Sequence, residues 1–128
     1  MSSGPGYAKH PNHQIRVEPC QQPCEVRVQG ELLARSENCL IMHEGSYPGV
    51  IYFPFAALPQ ERLAPSTTQT YCPFKGTASY WHLRQGQQAQ TPQIQDILWS
   101  YQTPYDEMLA IQGYAGFYPD KVDQITGG

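Results

Sequence analysis

The side chains with the most reactive chemistry are those of Cys72 and Lys75, which stand close together in the sequence beside a predicted turn. Pro73 fixes its own φ and favours extended backbone at Cys72. Gly76 can adopt the positive φ that a tight turn needs. A nearby ammonium group raises the thiolate fraction of a cysteine. The functional interpretation is a thiol and an amine that line one pocket. The alternative is a buried Cys72 and a solvated Lys75.

A β-strand is predicted directly after this turn. Residues 77–83 alternate with the period of two that is typical of strands. Tyr80 and His82 fall on one face of this strand, and Trp81 falls on the other. Residues 71–81 therefore predict an extended segment, a turn and a strand, with Cys72 at the end of the first arm and Lys75 at the hairpin tip.

The rest of the chain predicts a mainly β fold. Short apolar runs alternate with Gly- and Pro-containing turns, and together they indicate about eight or nine short strands in a sandwich or partly open barrel. One short helix is predicted near residues 104–112, with Thr103 as its cap and Pro104 at its first position. Residues 59–69 and 85–95 are expected to be surface loops.

Length and charge narrow the class of protein. The 128 residues suit a single domain over residues 10–123, with a flexible tail at 1–9 and a second tail at 124–128. A net charge of −3, with only 15% charged residues, argues against a nucleic-acid partner. No apolar run approaches the roughly 20 residues of a membrane span. The first residues lack a signal-peptide core, so we expect a cytoplasmic protein that is a monomer or weak dimer.

Neither a metal nor a cofactor is expected. Cys20 and Cys24 form one close pair, but Cys39 and Cys72 stand alone, whereas zinc sites usually show two close pairs. All four thiols are expected to be reduced in a cytoplasmic protein. His10 and His13 have no carboxylate or thiol at ligand spacing, so a surface loop is the simpler interpretation of that segment.

Four segments stand out for their composition and order, namely residues 44–54, residues 70–81, Trp99-Ser100-Tyr101 with Pro104, and residues 111–120. Together they resemble the domain of unknown function 427 family. The string Cys-Pro-Phe-Lys-Gly-Thr-Ala-Ser-Tyr-Trp is long and unusual, and the order and spacing match from about residue 9 to residue 123.

The resemblance implies a compact β domain of the "β-tent" kind, similar in outline to methionine sulfoxide reductase B, and a nucleotidyltransferase label. No phosphate-binding loop or pair of carboxylates at metal spacing supports that label here. Members often carry Pro-Arg where this chain has Pro54-Phe55. An anion contact made by that Arg would be lost, or supplied by Arg62 or Arg84.

The first functional hypothesis is a pocket for an unknown small molecule, with aromatic walls and a few polar groups. Its expected ligand-binding residues are Tyr47, Tyr52, Tyr80, Trp99 and Tyr118. The alternative is that these aromatic residues have only a structural role, as the core of a small domain.

A second hypothesis is an enzyme whose catalytic residues are Cys72, Lys75 and Glu44. It would act either through Cys72, with His82 or His43 as its base, or through a Glu44–Lys75 acid–base pair. A third is a protein-interaction module that uses exposed strand edges.

Overall fold

Strands dominate the computed structural model, which describes residues 2–84 and 92–128. Within these residues the strands are β1 (Ile15–Pro19), β2 (Cys24–Val28), β3 (Glu31–Ser36), β4 (Leu40–Glu44), β5 (Val50–Pro54), β6 (Leu63–Cys72), β7 (Gly76–Arg84), β8 (Pro92–Ser100), β9 (Tyr114–Phe117) and β10 (Gln124–Thr126). A short α-helix spans Gly6–Lys9, and 3₁₀ turns span Phe55–Ala57, Gln60–Arg62, Asp106–Ile111 and Pro119–Lys121. None of the described helices has the length and apolar character needed to cross a bilayer.

The strands form two antiparallel sheets. Seven strands pair in the order β1-β4-β5-β9-β8-β7-β6, and three strands pair in the order β10-β2-β3. Strands β1 and β6 are the edges of the larger sheet, and within the described strands they do not pair with each other to close a barrel. The prediction of a mainly β fold that is not a closed barrel is therefore confirmed.

Alternation along the central strands gives the larger sheet two apolar faces. Phe53, Leu98 and Phe117 pack in one core with residues of the smaller sheet such as Val26. The Phe53 and Phe117 rings meet edge to face, with their centroids 5.7 Å apart. The neighbouring residues of the same strands point to the opposite face, because successive side chains of a strand alternate. That opposite face is rich in tyrosine and tryptophan.

The predicted hairpin around Lys75 is confirmed. Strand β6 ends at Cys72, which pairs with Gly76 at the start of β7. The backbone N–H of Lys75 donates to the carbonyl of Cys72 over 3.2 Å, which closes the turn. Gly76 has a φ of +117°, a value that side-chain-bearing residues rarely adopt. The predicted division of faces also holds, since Tyr80 and Trp81 pack in different clusters.

Two predicted loops are wrong in part. Strand β6 already begins at Leu63, inside the expected loop 59–69, and β8 begins at Pro92, inside the expected loop 85–95. Residues 85–91 lie outside the described residues. Strand β6 is an edge strand whose residues 65–71 are largely exposed, so it carries polar side chains and lacks an apolar alternation. The missing alternation made it look like a loop.

The predicted helix near residues 104–112 is a 3₁₀ segment over Asp106–Ile111. Its N-cap is Tyr105 rather than Thr103, and no side chain caps it. Met108 and Ile111 are both buried, and residues three apart lie on one face of a 3₁₀ helix. The backbone at Met108 departs from helical values, with a φ of −118° and a ψ of 20°, so a kink interrupts the segment there.

Both ends of the chain contact the sheets where tails were expected. The backbone N–H of Gly6 donates to the carbonyl of Pro73 over 3.0 Å, and Gly6 is buried. Near the other end, Ile125 of β10 pairs with Val26 of β2. Phe55, the residue after Pro54, packs edge to face on Trp81, with the ring centroids 4.9 Å apart. Its position is therefore filled by an apolar contact.

The packing of Phe117 against Phe53 in the core between the two sheets leads to a prediction about stability. Phe117→Ala should lower the free energy of unfolding by about 3–5 kcal/mol, because it removes a fully buried ring and leaves a cavity. Chemical denaturation measures the change. Leu109→Ala, on a side chain that is 36% exposed, is the control and should change stability by less than about 1 kcal/mol. Equal losses in the two variants would contradict this description of the core.

Candidate functional site

A cavity of about 320 Å³ opens on the face of the larger sheet that carries the aromatic side chains. Strands β4, β5, β7 and β8 each contribute to its walls. The lining residues are Met42, Glu44, Tyr47, Pro48, Val50, Tyr52, Lys75, Tyr80, Trp99, Tyr101 and Tyr118. Alternate residues of one strand reach the cavity together, as Met42 and Glu44 do from β4 and Val50 and Tyr52 do from β5.

An ion pair forms the charged part of the wall. The Nζ atom of Lys75 lies 2.8 Å from Oε1 of Glu44, and Nε2 of His13 lies 2.9 Å from Oε2 of the same carboxylate. The side chains of Lys75 and Glu44 are only 14% and 23% exposed. Partial burial alone would raise the pKa of Glu44, but the hydrogen bonds and charges of Lys75 and His13 outweigh it and hold this pKa below its ordinary value of 4.5. Glu44 is therefore ionised at neutral pH.

Hydrogen bonds orient the aromatic walls. The indole N–H of Trp99 donates to the hydroxyl of Tyr52 over 3.1 Å. The hydroxyl of Tyr118 donates to that of Tyr80 over 3.1 Å, and Tyr80 also bonds to Thr70 over 2.8 Å. Burial raises the pKa of Tyr52 to about 12, and it also raises that of Tyr118, so both hydroxyls stay protonated at neutral pH. These bonds fix the rings that face the cavity.

Gly116 allows the indole of Trp99 to approach β9 closely. It pairs in register with Trp99 of β8 on one side and with Tyr52 of β5 on the other. A Cβ atom at this position would stand only 2.7 Å from the Trp99 ring. The absence of a side chain at Gly116 therefore determines where one wall of the cavity lies.

The N-terminal segment packs on the turn that carries Lys75. The imidazole of His13 stacks on Phe74 with ring centroids 4.0 Å apart, and Tyr7 meets the same ring edge to face at 5.1 Å. The backbone N–H of Gly4 donates to Glu107 over 2.9 Å, and Ser3 also bonds to this carboxylate. These contacts hold the hairpin tip beside Glu44.

Cys72 lies at the end of β6 as a half-buried free thiol and is not among the residues that line the cavity. Within the described residues it makes no hydrogen bond to His43 or His82. His82 is engaged elsewhere, since its Nδ1 accepts from the backbone N–H of Asp96 over 3.0 Å. The structure therefore does not form the cysteine–histidine pair that the first enzyme hypothesis needs.

The other thiols and the arginines also lie away from the cavity. Burial raises the pKa of Cys20 to about 11 and that of Cys39 to about 12, so these thiols are protonated at neutral pH. Within residues 2–84 and 92–128, no group of three or more His, Cys, Asp or Glu side chains is arranged to hold a metal ion. Arg62 bonds to the carbonyl of Arg84 over 3.2 Å, and neither side chain lines the cavity.

Seven residues named from the sequence meet around one cavity, namely Glu44, Tyr47, Tyr52, Lys75, Tyr80, Trp99 and Tyr118. Their roles in binding or catalysis stay predictions. Sequence reasoning missed Tyr101 and His13. The strand pattern could have found Tyr101, because it stands two residues after Trp99 and so shares its face. The sequence analysis assigned His13 to a surface loop, and no local signal linked it to Glu44, which is 31 residues away.

These features define a mainly β domain with a cluster of aromatic side chains around a lysine–glutamate ion pair. The family model described as Domain of unknown function (DUF427) matches residues 16–128, so the chain belongs to this family. The match confirms the resemblance seen in the sequence. No curated protein matches the chain.

The lowered pKa of Glu44 predicts a loss of stability in acid. In the unfolded chain the carboxyl regains its ordinary pKa, so the unfolded state binds more protons once the pH nears 4.5. The stabilisation from Glu44 is therefore complete at neutral pH and falls as the pH drops below about 4.5. Denaturant titrations at several pH values should show a shallower acid dependence for Glu44→Gln. The exposed Glu61→Gln control should follow the wild type, and parallel curves for all three proteins would refute the ion-pair assignment.

The close approach at Gly116 predicts that an added methyl group displaces Trp99. Gly116→Ala should lower stability by about 1–3 kcal/mol, because overpacking moves the indole off its hydrogen bond to Tyr52. The indole N–H resonance of Trp99 should shift strongly in a ¹H–¹⁵N spectrum. Gly30→Ala is the control, since a Cβ there meets no atom and adds only the strain of a positive φ. An unchanged Trp99 resonance in Gly116→Ala would contradict the packing.

Proposed function

We propose that this domain binds a small molecule in the cavity between the Lys75–Glu44 ion pair and the aromatic residues. The observation that carries the proposal is the position of the ion pair, which is largely withdrawn from solvent and faces a space that protein atoms do not fill. Removing charged groups from water is unfavourable unless they are well paired. An ion pair on the wall of a cavity can contact a bound ligand in addition to stabilising the fold.

The shape and composition of the cavity support the same proposal. Its volume of about 320 Å³ lies at the lower end of the range of roughly 300–1,000 Å³ for ligand pockets. Aromatic rings form most of its walls, and a few polar groups stand among them, which is the usual construction of a small-molecule site. Tyr47 is 74% exposed at the rim, where it can close over a bound molecule.

The enzyme hypotheses gain less support from the geometry. A general base works best when its pKa lies near the operating pH, whereas the pKa of Glu44 is lowered. Cys72 has no histidine partner within the described residues. Binding without an assigned reaction is therefore the function that we propose. The expected cytoplasmic location and the monomeric or weakly dimeric state belong to this proposal.

Ligand screening by thermal denaturation tests the proposal. A compound that binds the folded domain should stabilise it by about 2.7 kcal/mol when its free concentration is a hundredfold above Kd. Tyr47→Ala should weaken binding about twofold to tenfold, because it removes an aromatic contact at the rim. Tyr71→Ala is the matched control, since Tyr71 is 58% exposed but lies outside the cavity lining.

Two results would contradict the proposal. One is the absence of stabilisation by every compound in a broad metabolite set. The other is an equal loss of affinity in Tyr47→Ala and Tyr71→Ala, which would place the binding site elsewhere. Fractionation of cells and sedimentation of the purified protein test the location and the oligomeric state separately.

A further inference from the structure

Three side chains on the cavity wall keep hydrogen-bond donors that have no acceptor within the described residues. The ammonium of Lys75 carries three N–H groups, and Glu44 is its one acceptor there. An indole N–H can only donate, so Tyr52 accepts from Trp99 and keeps its own O–H proton available. The hydroxyl of Tyr101 bonds to none of the described residues, and the residue as a whole is only 7% exposed.

The hydroxyls of Tyr52 and Tyr101 keep their protons over the physiological pH range. Burial raises the pKa of Tyr52 to about 12 and raises that of Tyr101 well above its ordinary value of 10. Both side chains therefore present O–H groups rather than phenolate oxygens to the cavity. Among the described residues, the one buried side-chain polar atom without a partner is Oδ1 of Asp96, so these donors reach the open cavity, where water can accept from them. A molecule that displaces this water should bring acceptors of its own.

The charged acceptor on the wall, Glu44, and the hydroxyl of Tyr80 are already engaged. One oxygen of Glu44 accepts from Lys75, and the other faces His13. The hydroxyl of Tyr80 accepts from Tyr118 and bonds to Thr70 as well. Tyrosine hydroxyls can donate as well as accept, whereas the ammonium of Lys75 can only donate. The charged group that remains for a ligand is therefore a donor, which favours a ligand that accepts hydrogen bonds.

The charges on the wall favour a neutral ligand. Lys75 and Glu44 cancel each other, and they stand in contact, so neither sign of charge gains a net attraction. An anion near Lys75 would also lie near the carboxylate of Glu44. A cation near Glu44 would in turn meet the ammonium of Lys75.

The aromatic walls favour a flat molecule. The ring centroids of Trp99 and Tyr118 lie 4.7 Å apart, and the ring planes are tilted by 51°. The indole of Trp99 also packs edge to face on Tyr52. Such rings offer faces and edges on which another ring can pack. We propose that the ligand of this cavity is a neutral, planar molecule whose polar edge carries a carbonyl oxygen, which accepts from Lys75, Tyr52 or Tyr101. This inference rests on the proposed function and names its ligand class.

Four single-ring probes that differ in their polar group test the inference. Acetophenone is a neutral acceptor, aniline a neutral amine, benzoate an anion, and toluene has no polar group. Their affinities for the full chain can be measured by following the indole N–H resonance of Trp99 in ¹H–¹⁵N titrations. Acetophenone should bind about tenfold more tightly than each of the other three.

A variant without the free hydroxyl supplies a second readout. Tyr101→Phe should weaken acetophenone about threefold to tenfold and leave toluene unchanged, because it removes one donor and no ring. The fold should tolerate this change, since the hydroxyl bonds to none of the described residues. Tyr71→Phe, on an exposed ring outside the cavity lining, is the matched control and should bind every probe as the wild type does.

The outcomes separate the two proposals. Equal affinities, or tighter binding of aniline, benzoate or toluene at Trp99, would overturn the carbonyl inference and leave the cavity as a binding site. Failure of every probe to shift the Trp99 resonance, together with no stabilisation in the metabolite screen, would overturn the proposed function as well. The relative affinities of the four probes for the wild-type protein test the inference even if Tyr101→Phe does not fold.

Discussion

The contact between Lys75 and Glu44 joins two distant parts of the larger sheet. Four steps separate β4, which carries Glu44, from β7, which follows the turn of Lys75. At about 4.8 Å per step, a flat sheet would hold these strands about 19 Å apart, too far for a direct ion pair. The observed 2.8 Å contact therefore requires the sheet to curve towards its aromatic face. The cavity lies inside that curve.

Neighbouring side chains support the ion pair between Lys75 and Glu44. His13 bonds to the second oxygen of Glu44, and its ring stacks on Phe74 beside Lys75. The family match begins at residue 16, so this partner comes from outside the matched region. The N-terminal segment thus stabilises the same carboxylate that we assign to the binding site.

The chemistry of the wall favours recognition over reaction. Glu44 is a weak base because its pKa is lowered, and the buried tyrosines keep their protons. Cys72 lies outside the cavity lining and makes no hydrogen bond to a histidine within the described residues. What the wall offers is a set of fixed rings and hydrogen-bond donors, held by contacts such as that between Trp99 and Gly116. These features suit a molecule that is bound and oriented.

The sequence alone determined those features that depend on near neighbours in the chain. The turn at Lys75 follows from Pro73 and Gly76, and the division of faces between Tyr80 and Trp81 follows from the period of two. The start of β6 was predicted as a loop because its residues are mostly polar, and an edge strand needs no apolar alternation. No local signal distinguished the 3₁₀ segment from an α-helix. Only the tertiary structure decided that His13 reaches Glu44 and that the ion pair meets the aromatic rings. Those contacts depend on strand order and sheet curvature, which many residues set together and no single segment encodes.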